Sequence, residues 1–413
     1  MPYRLLVGVD WSTTTHQVCV LDPEGTILRE LEVEHRAVAI AQFVDELVRR
    51  AGGRPEAVAV AIERPRGGLV EAFLERGLHV YSLNPKQLDR FRDRHSVAGA
   101  KDDRLDAYVL GDALRTDRPR FRQVKTDDPV IVQIRELSRV HEDLRDEENR
   151  LVNRLREQVH RCAPHLLGLC PSADESWFWA LLERVVGPRR TGPRQRSIEK
   201  VLREHRIRRL SADDVYAALQ EPAMHLAPGT LEAVRAHIDL LLPRLRVTRQ
   251  QARDCKKKLE ELLDQRAKEH DDEGPSDITI LDSLPGIGPI IMGTLLAEAA
   301  PILVQRDGAT LRAYGGSAPI TRRSGKRWAV QMRRGCNPRL RNALYHWARV
   351  STTCDPAARA YYAALRARGH SHGRALRSVA DRWIRILMAM LRDRTLYEHS
   401  RPENPSAAVG AAA

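Results

Sequence analysis

The spacing of apolar and polar positions changes period along the chain, and those changes predict its elements. RLLVGV at 4–9 is a short apolar run ending on Asp10, and QVCVL at 17–21 is a second. Between them lies Trp11-Ser12-Thr13-Thr14-Thr15-His16, and Asp22-Pro23-Glu24-Gly25 supplies turn chemistry after them. A strand–turn–strand hairpin is expected, with LRELEV as a third strand. Ile40, Phe43, Val44 and Leu47 recur at helical spacing within 36–50. AVAVAI at 57–62 reads as a buried strand that also ends on a carboxylate, Glu63. A helix is expected from Gly68, a strand at HVYSL before Asn84-Pro85, and a helix over KDDRLDAYVLGDALR. Strands in sequence followed by alternating helices and strands indicate an α/β layer.

Beyond residue 130 the period becomes purely helical. Ile134, Leu137, Leu144, Leu151 and Leu155 fall near heptad spacing among dense Arg and Glu, which predicts a long helix able to pair with another. A helical, Trp-rich segment (SWFWALLERVV) follows, then an Arg/Pro/Gly loop at 187–196. Residues 229–269 read as a second long helix that Pro243 should kink or split. The acidic link DDEGPSD at 271–277 marks a boundary, and RPENPSAAVGAAA reads as a disordered tail. The expected parts are therefore 1–125, 126–270, 278–398 and a tail at 399–413.

Charge narrows the function. With 68 Lys and Arg against 55 Asp and Glu, the net charge is +13, which favours a polyanionic partner such as nucleic acid. No run approaches the length of a membrane-crossing helix and the N-terminus reads straight into a strand, so neither a membrane partner nor a signal peptide is expected. Six dispersed cysteines without a C-x-x-C pair point to reduced thiols and a cytoplasmic setting. His160, Cys162, His165 and Cys170 cluster without a regular zinc spacing, and packed or surface side chains are the expectation there.

The chemistry-bearing residues fall into two groups. Asp10 and Glu63 end strands, which would fix them rigidly at a sheet edge, and Asp103 and Asp106 share one face of a helix. Brought together, these acids would repel unless cations neutralised them, and hard oxygen ligands of this kind suit Mg2+ or Mn2+. Two such ions could act on a phosphodiester. Asp102 could also face the site, while Asp22 and Asp89 are weaker competitors. In the C-terminal part, Leu284-Pro285-Gly286-Ile287-Gly288-Pro289 before an apolar helix has the pattern of a helix-hairpin-helix, although a tight turn between packed helices fits equally. From Gly308 to Cys354 there is no acid, and ten basic residues occur: Arg312, Arg322, Arg323, Lys326, Arg327, Arg333, Arg334, Arg339, Arg341 and Arg349. An unbalanced run of this kind in a Gly-rich segment predicts a phosphate-contacting surface. Ser324 sits inside it, flanked by cations and Gly325, where it could bind phosphate or attack it.

Gly8-Val9-Asp10, Ala61-Ile62-Glu63 and Lys101-Asp102-Asp103-Arg104-Leu105-Asp106-Ala107 resemble the DEDD quartet of the insertion-sequence one-ten family of transposases. Leu284–Gly288, Tyr314-Gly315-Gly316 with Pro319, Ser324-Gly325, Gly335–Arg341 and the closing WIRILMAMLRDRTLYE resemble that family's C-terminal transposase domain. The resemblance implies an α/β plus α architecture. It comprises an RNase H-like (RuvC-like) N-terminal domain, long coiled-coil helices, and a mainly helical C-terminal domain with a helix-hairpin-helix. It implies metal binding by Asp10, Glu63, Asp103 and Asp106, and a serine nucleophile that maps onto Ser324. It further implies donor and target DNA and a structured bridge RNA as partners. Assembly would be as a homo-oligomer, dimer or tetramer, in which the serine of one subunit completes the metal site of another, at the nucleoid of a prokaryotic cytoplasm. Two departures stand out: Lys101-Asp102-Asp103 replaces the usual Lys-Thr-Asp, and Gly316-Ser317-Ala318-Pro319 brings a second serine near the first. A junction-resolving nuclease using metal-activated water, and a non-catalytic DNA-binding protein, are the alternatives.

Overall fold

The structure is a computed structural model that describes residues 3–398, apart from Arg64, Arg66, 95–101, 125–127, 187–193, Ala223, 269–273 and 325–326. The tail at 399–413 lies outside the described residues. The chain divides into two compact units, Met1–Asp128 and Pro129–Ala413.

The first unit is built on a six-stranded sheet of order β3-β2-β1-β4-β5-β6. Its strands are β1 (Leu5–Asp10), β2 (Thr15–Leu21), β3 (Ile27–Glu34), β4 (Val58–Ile62), β5 (His79–Ser82) and β6 (Arg122–Val124). β1, β2 and β3 form an antiparallel meander; β4 and β5 run parallel to β1, and β6 closes the edge antiparallel to β5. The helices are α1 (Ala37–Arg50), α2 (Gly68–Glu75), α3 (Pro85–Arg92) and α4 (Asp103–Asp117). β6 is too short to register as apolar periodicity, and the sequence does not announce it.

Side-chain alternation decides which helix covers which face. Leu5, Val7 and Val9 of β1 pack with Val58, Val60 and Ile62 of β4 against Ile40, Phe43, Val44 and Leu47 of α1 and against Phe73 of α2. The opposite face carries Leu6, Ala59 and Ala61, packed with Ala107, Leu110 and Leu114 of α4. Large residues fill one face, and small ones line the face where a helix must come close.

The second unit begins with α5 (Pro129–Cys162) and includes α6 (Ser176–Val186), α7 (Gln195–Glu204), α8 (Ala212–Gln220) and α9 (Thr230–Ala267). α9 runs unbroken through Pro243, so the expected split does not occur. Leu241, Leu242 and Leu245 around the proline are buried in a shared core with Leu151 and Leu155 of α5, and that burial offsets the lost backbone hydrogen bond. The apolar seam of α5 is thus taken up by α9 of the same chain. Then follow α10 (Asp277–Asp282), α11 (Pro289–Val304), α12 (Gly308–Tyr314), the hairpin β7 (Ile320–Ser324) and β8 (Arg327–Gln331), α13 (Pro338–Cys354), α14 (Pro356–Ala367) and α15 (His372–Asp393). Ile134 of α5 and Leu259 and Leu263 of α9 belong to the same core as Leu295, Trp347, Trp383 and Leu387.

One polar hub sits within the α5–α9 pair. Glu148 of α5 is 2% exposed and pairs with Arg145 and Arg249. Arg249 donates Nε to Glu148 at 2.7 Å and Nη1 to Ser176 Oγ at 2.9 Å, while its guanidinium lies 4.1 Å from the Trp179 ring centroid. Removing one partner of a buried pair leaves an uncompensated charge. Arg249→Ala should therefore cost about 3–5 kcal/mol of stability, read from urea unfolding. Pairing it with Glu148→Leu should recover most of that loss; a single variant as stable as the parent would show that the hub contributes nothing.

Candidate metal and nucleic-acid site

The register places Asp10 and Glu63 side by side. β1 and β4 are parallel with Val9 opposite Ile62, so Asp10 ends one strand and Glu63 directly follows its neighbour. Strand alternation puts Asp10 on the side of Leu6 and Gly8, and Glu63 on the side of Ala59 and Ala61, which is the α4 face. α4 reaches that face because Gly8 has no side chain: a Cβ there would lie 1.9 Å from the Ala107 carbonyl oxygen and 2.5 Å from the Gly111 nitrogen. Gly111 in turn lies against Leu21, the partner of Leu6. Stepping back along α4 from Gly111 through Ala107 leads toward Asp103 and toward the Asp10 end of β1.

Each predicted acid has a distinct local role. Asp102 caps α4, accepting from the Arg104 amide at 3.0 Å, and Asp103 is the first helical residue. Asp106 is 2% exposed, and both of its oxygens are held by Arg92 of α3, at 2.6 Å from Nε and 2.8 Å from Nη2. Asp89 adds a second carboxylate to Arg92 at 3.0 Å. Hydrogen bonding to Asp106 raises the Arg92 pKa above its ordinary value, fixing its charge. Asp22 is a turn residue, accepting from the Thr26 amide at 2.7 Å. Among the described residues the quartet does not bring three ligand oxygens within 4.8 Å of one another. Arg92 supplies the positive charge that the buried Asp106 requires. Hard oxygens on two strand ends and one helix face, with one acid already claimed by a cation, suit a divalent ion.

In the second unit, Ser324 ends β7 opposite Arg327, the first residue of β8. Arg322 and Arg323 are on β7; Lys326 lies outside the described residues. Ser317 is half-buried and donates to the Arg312 carbonyl at 3.2 Å. Arg334 is exposed, Arg333 donates to the Ala318 carbonyl at 3.3 Å, and Arg341 lies beside Cys336. Arg339 is committed to Glu142 of α5 at 2.8 Å. Gly286 takes φ +85°, and a Cβ there would lie 2.8 Å from the Ser351 nitrogen of α13, while Trp347 donates to the Pro285 carbonyl at 3.1 Å. The Pro-Gly turn thus serves helix packing at Gly286, whereas Gly288, the N-cap of α11, faces open space. The only trio of metal-type ligands among the described residues is Cys170, Asp174 and Glu175, without His160, Cys162 or His165. Glu175 there is engaged by Arg209 at 2.6 Å and by the Trp177 indole at 3.0 Å, and burial pushes the Cys170 thiol up, so internal pairing accounts for the cluster.

Residues 7–164 match the family model of the DEDD transposases of IS110 type, and residues 278–363 match that of the transposase IS116/IS110/IS902 family. The chain belongs to the IS110 family of transposases. The protein y4uE of Sinorhizobium fredii, which carries a transposase name, is 43% identical over 230 residues, spanning 55% of this chain and 62% of that relative. The mini-circle IS117 protein of Streptomyces coelicolor, also named for transposition, is 29% identical over 96% of both chains. The 43.6 kDa protein of insertion element IS110 from the same organism is 29% identical, again over 96% of each. Membership in a DEDD family implies that this transposase depends on divalent metal. Among the described residues, no helix is long and apolar enough to cross a membrane.

Two outcomes follow for the transposase. Gly8→Ala should push α4 off the sheet and destabilise the chain by about 3 kcal/mol, measured by urea unfolding, with Mn2+ binding lost alongside. Arg92→Gln should destabilise metal-free protein by about 3 kcal/mol because it strands a buried carboxylate, and Mn2+ should restore much of the loss. Unchanged unfolding without metal would mean that the Arg92 pair holds nothing in place.

Proposed function

We propose that this transposase cuts and rejoins donor and target DNA with Ser324 as nucleophile and with Asp10, Glu63, Asp103 and Asp106 holding Mg2+ or Mn2+. The observation that carries the carboxylate half is the adjacency of Asp10 and Glu63 on parallel strands, with α4 laid over Gly8 at Ala107 and Gly111. Strand order β3-β2-β1-β4-β5, with acids ending β1 and β4, supports the RNase H-like (RuvC-like) reading. Asp103 is preferred to Asp102, whose carboxylate is spent on the helix cap. Asp106 joins the set once Arg92 releases it.

Ser324 is preferred to Ser317 because it ends a strand within the basic run, while the Ser317 hydroxyl is spent on a backbone carbonyl. In the proposed step the Ser324 Oγ forms a bond to phosphorus as the phosphorus–oxygen bond to the leaving sugar breaks. The serine proton passes to that leaving oxygen. The phosphodiester energy is retained in the protein–DNA link, so the reverse attack rejoins strands without an external energy source. Bound divalent metal would supply positive charge to the phosphoryl oxygens as negative charge develops. Surrounding arginines would hold the phosphate backbone in register. A structured bridge RNA as guide and a homo-oligomeric assembly complete the proposal, consistent with the net charge of +13.

The test incubates the full chain, RNA from the flanking noncoding DNA, and donor and target duplexes with Mg2+. Covalent protein–DNA adducts are then resolved by denaturing electrophoresis. Ser324→Ala should lower adduct formation by a thousandfold or more, by analogy of order with the loss of a nucleophile elsewhere. Ser317→Ala should retain the adduct, and Asp10→Asn or chelation of the metal should abolish it. Cleavage by Ser324→Ala at parental rate would instead favour metal-activated water.

A further inference from the structure

We propose that a cleft between α12, β8 and the first half of α15 is a clamp for the backbone of the single DNA strand presented to Ser324. The clamp rests on the transposase reading above, and its lining lies partly beyond residues 278–363, the stretch matched by the C-terminal family model. The cleft has a volume of about 640 Å3, far more than one phosphate needs and enough for a nucleotide. Arg312, Arg333, Arg374, Arg377 and Arg385 line it, with Asp381 as the acid among them. Asp381 pairs with Arg312 and, at 2.7 Å, with Arg385.

Arg374 and Arg377 have no carboxylate partner among the described residues, although they stand one helical turn apart on the same face of α15. Burial, and then the neighbouring Arg374, lower the Arg377 pKa, the mark of guanidinium groups crowded without a counter-ion. His370, at the same cleft, carries the one buried side-chain nitrogen or oxygen among the described residues that has no hydrogen-bond partner, its Nδ1. Guanidinium groups without a carboxylate partner, gathered at one cleft, call for an anion with several acceptor oxygens. Tyr361 adds a ring to the wall, backed by Arg382 at 5.2 Å, which suits stacking of a base and so a nucleotide rather than a free phosphate. Val330 and Gln331 of β8 line the cleft, and Gln331 pairs with Ile320, four residues before Ser324 along β7. At strand rise that separation is about 13 Å, so the clamp would grip nucleotides next to the bond that Ser324 attacks. Continuity with the serine hairpin favours DNA over guide RNA as the occupant.

The experiment measures fluorescence anisotropy of labelled dT12 and rU12 with the full chain in chelator, so that binding is read without cleavage and independently of the nucleophile. Arg374→Ala/Arg377→Ala should weaken dT12 at least tenfold and flatten its log–log salt slope by about 1.4, the share of two single-strand phosphate contacts. Because Arg374 is exposed, Arg374→Ala alone gives the same reading should the double variant fail to fold, with a slope change of about 0.7. Lys256→Ala/Lys257→Ala, which removes equal charge from α9, should leave dT12 affinity as it was. Parental affinity and slope in the cleft variants, an equal loss in the α9 control, or a loss confined to rU12 would each overturn the clamp.

Discussion

The N-terminal unit depends on how closely α4 approaches β1. That approach exists because position 8 has no side chain and positions 59 and 61 carry only methyl groups, so the helix backbone sits against the strand backbone. Two consequences follow from one contact. The buried apolar stripe of α4 closes the core, and Ala107, four residues after Asp103, lies over Gly8, two residues before Asp10. A larger residue at position 8 would lift the helix and move its carboxylates with it, so packing and candidate chemistry are inseparable here.

Charge compensation organises the rest. Asp106 is buried too deeply to stand alone, and Arg92 satisfies both of its oxygens. The same logic operates at Glu148, where Arg145 and Arg249 neutralise a carboxylate that would otherwise break the α5–α9 pair. The two cases differ in what the geometry allows. Arg249 is further fixed by Ser176, the Asp174 carbonyl and the Trp179 ring. Arg92 is held among the described residues by Asp106 and by the more exposed Asp89, with no backbone carbonyl or ring to fix it further. One pair is locked from several sides, the other from carboxylates alone.

The basic surface of the second unit is also less uniform than its composition implies. Arg339 is neutralised by Glu142 from a helix nearly two hundred residues earlier, and Arg312 by Asp381 from α15. The residues left without a counter-ion at the cleft, Arg374 and Arg377, come from outside the acid-free stretch altogether. Local charge density marks the neighbourhood; which guanidinium groups remain available depends on what folds against them.

Periodicity and turn chemistry by themselves determined the elements: the meander, α1, the strand ending at Glu63, and both long helices are written in local patterns that short-range sterics and burial enforce. The acids at strand ends were legible for the same reason, since a strand boundary is a local event. The Pro243 split was not realised, because burial of Leu241, Leu242 and Leu245 against α5 outweighs one missing hydrogen bond. Only the tertiary structure decided that Gly286 is required by the α13 backbone, that Asp102 is spent as a cap while Asp106 is held by Arg92, and that α15 contributes the unpaired arginines. These are contacts between residues distant in sequence, and no local pattern encodes the partner that a buried charge or a close-packed glycine will meet.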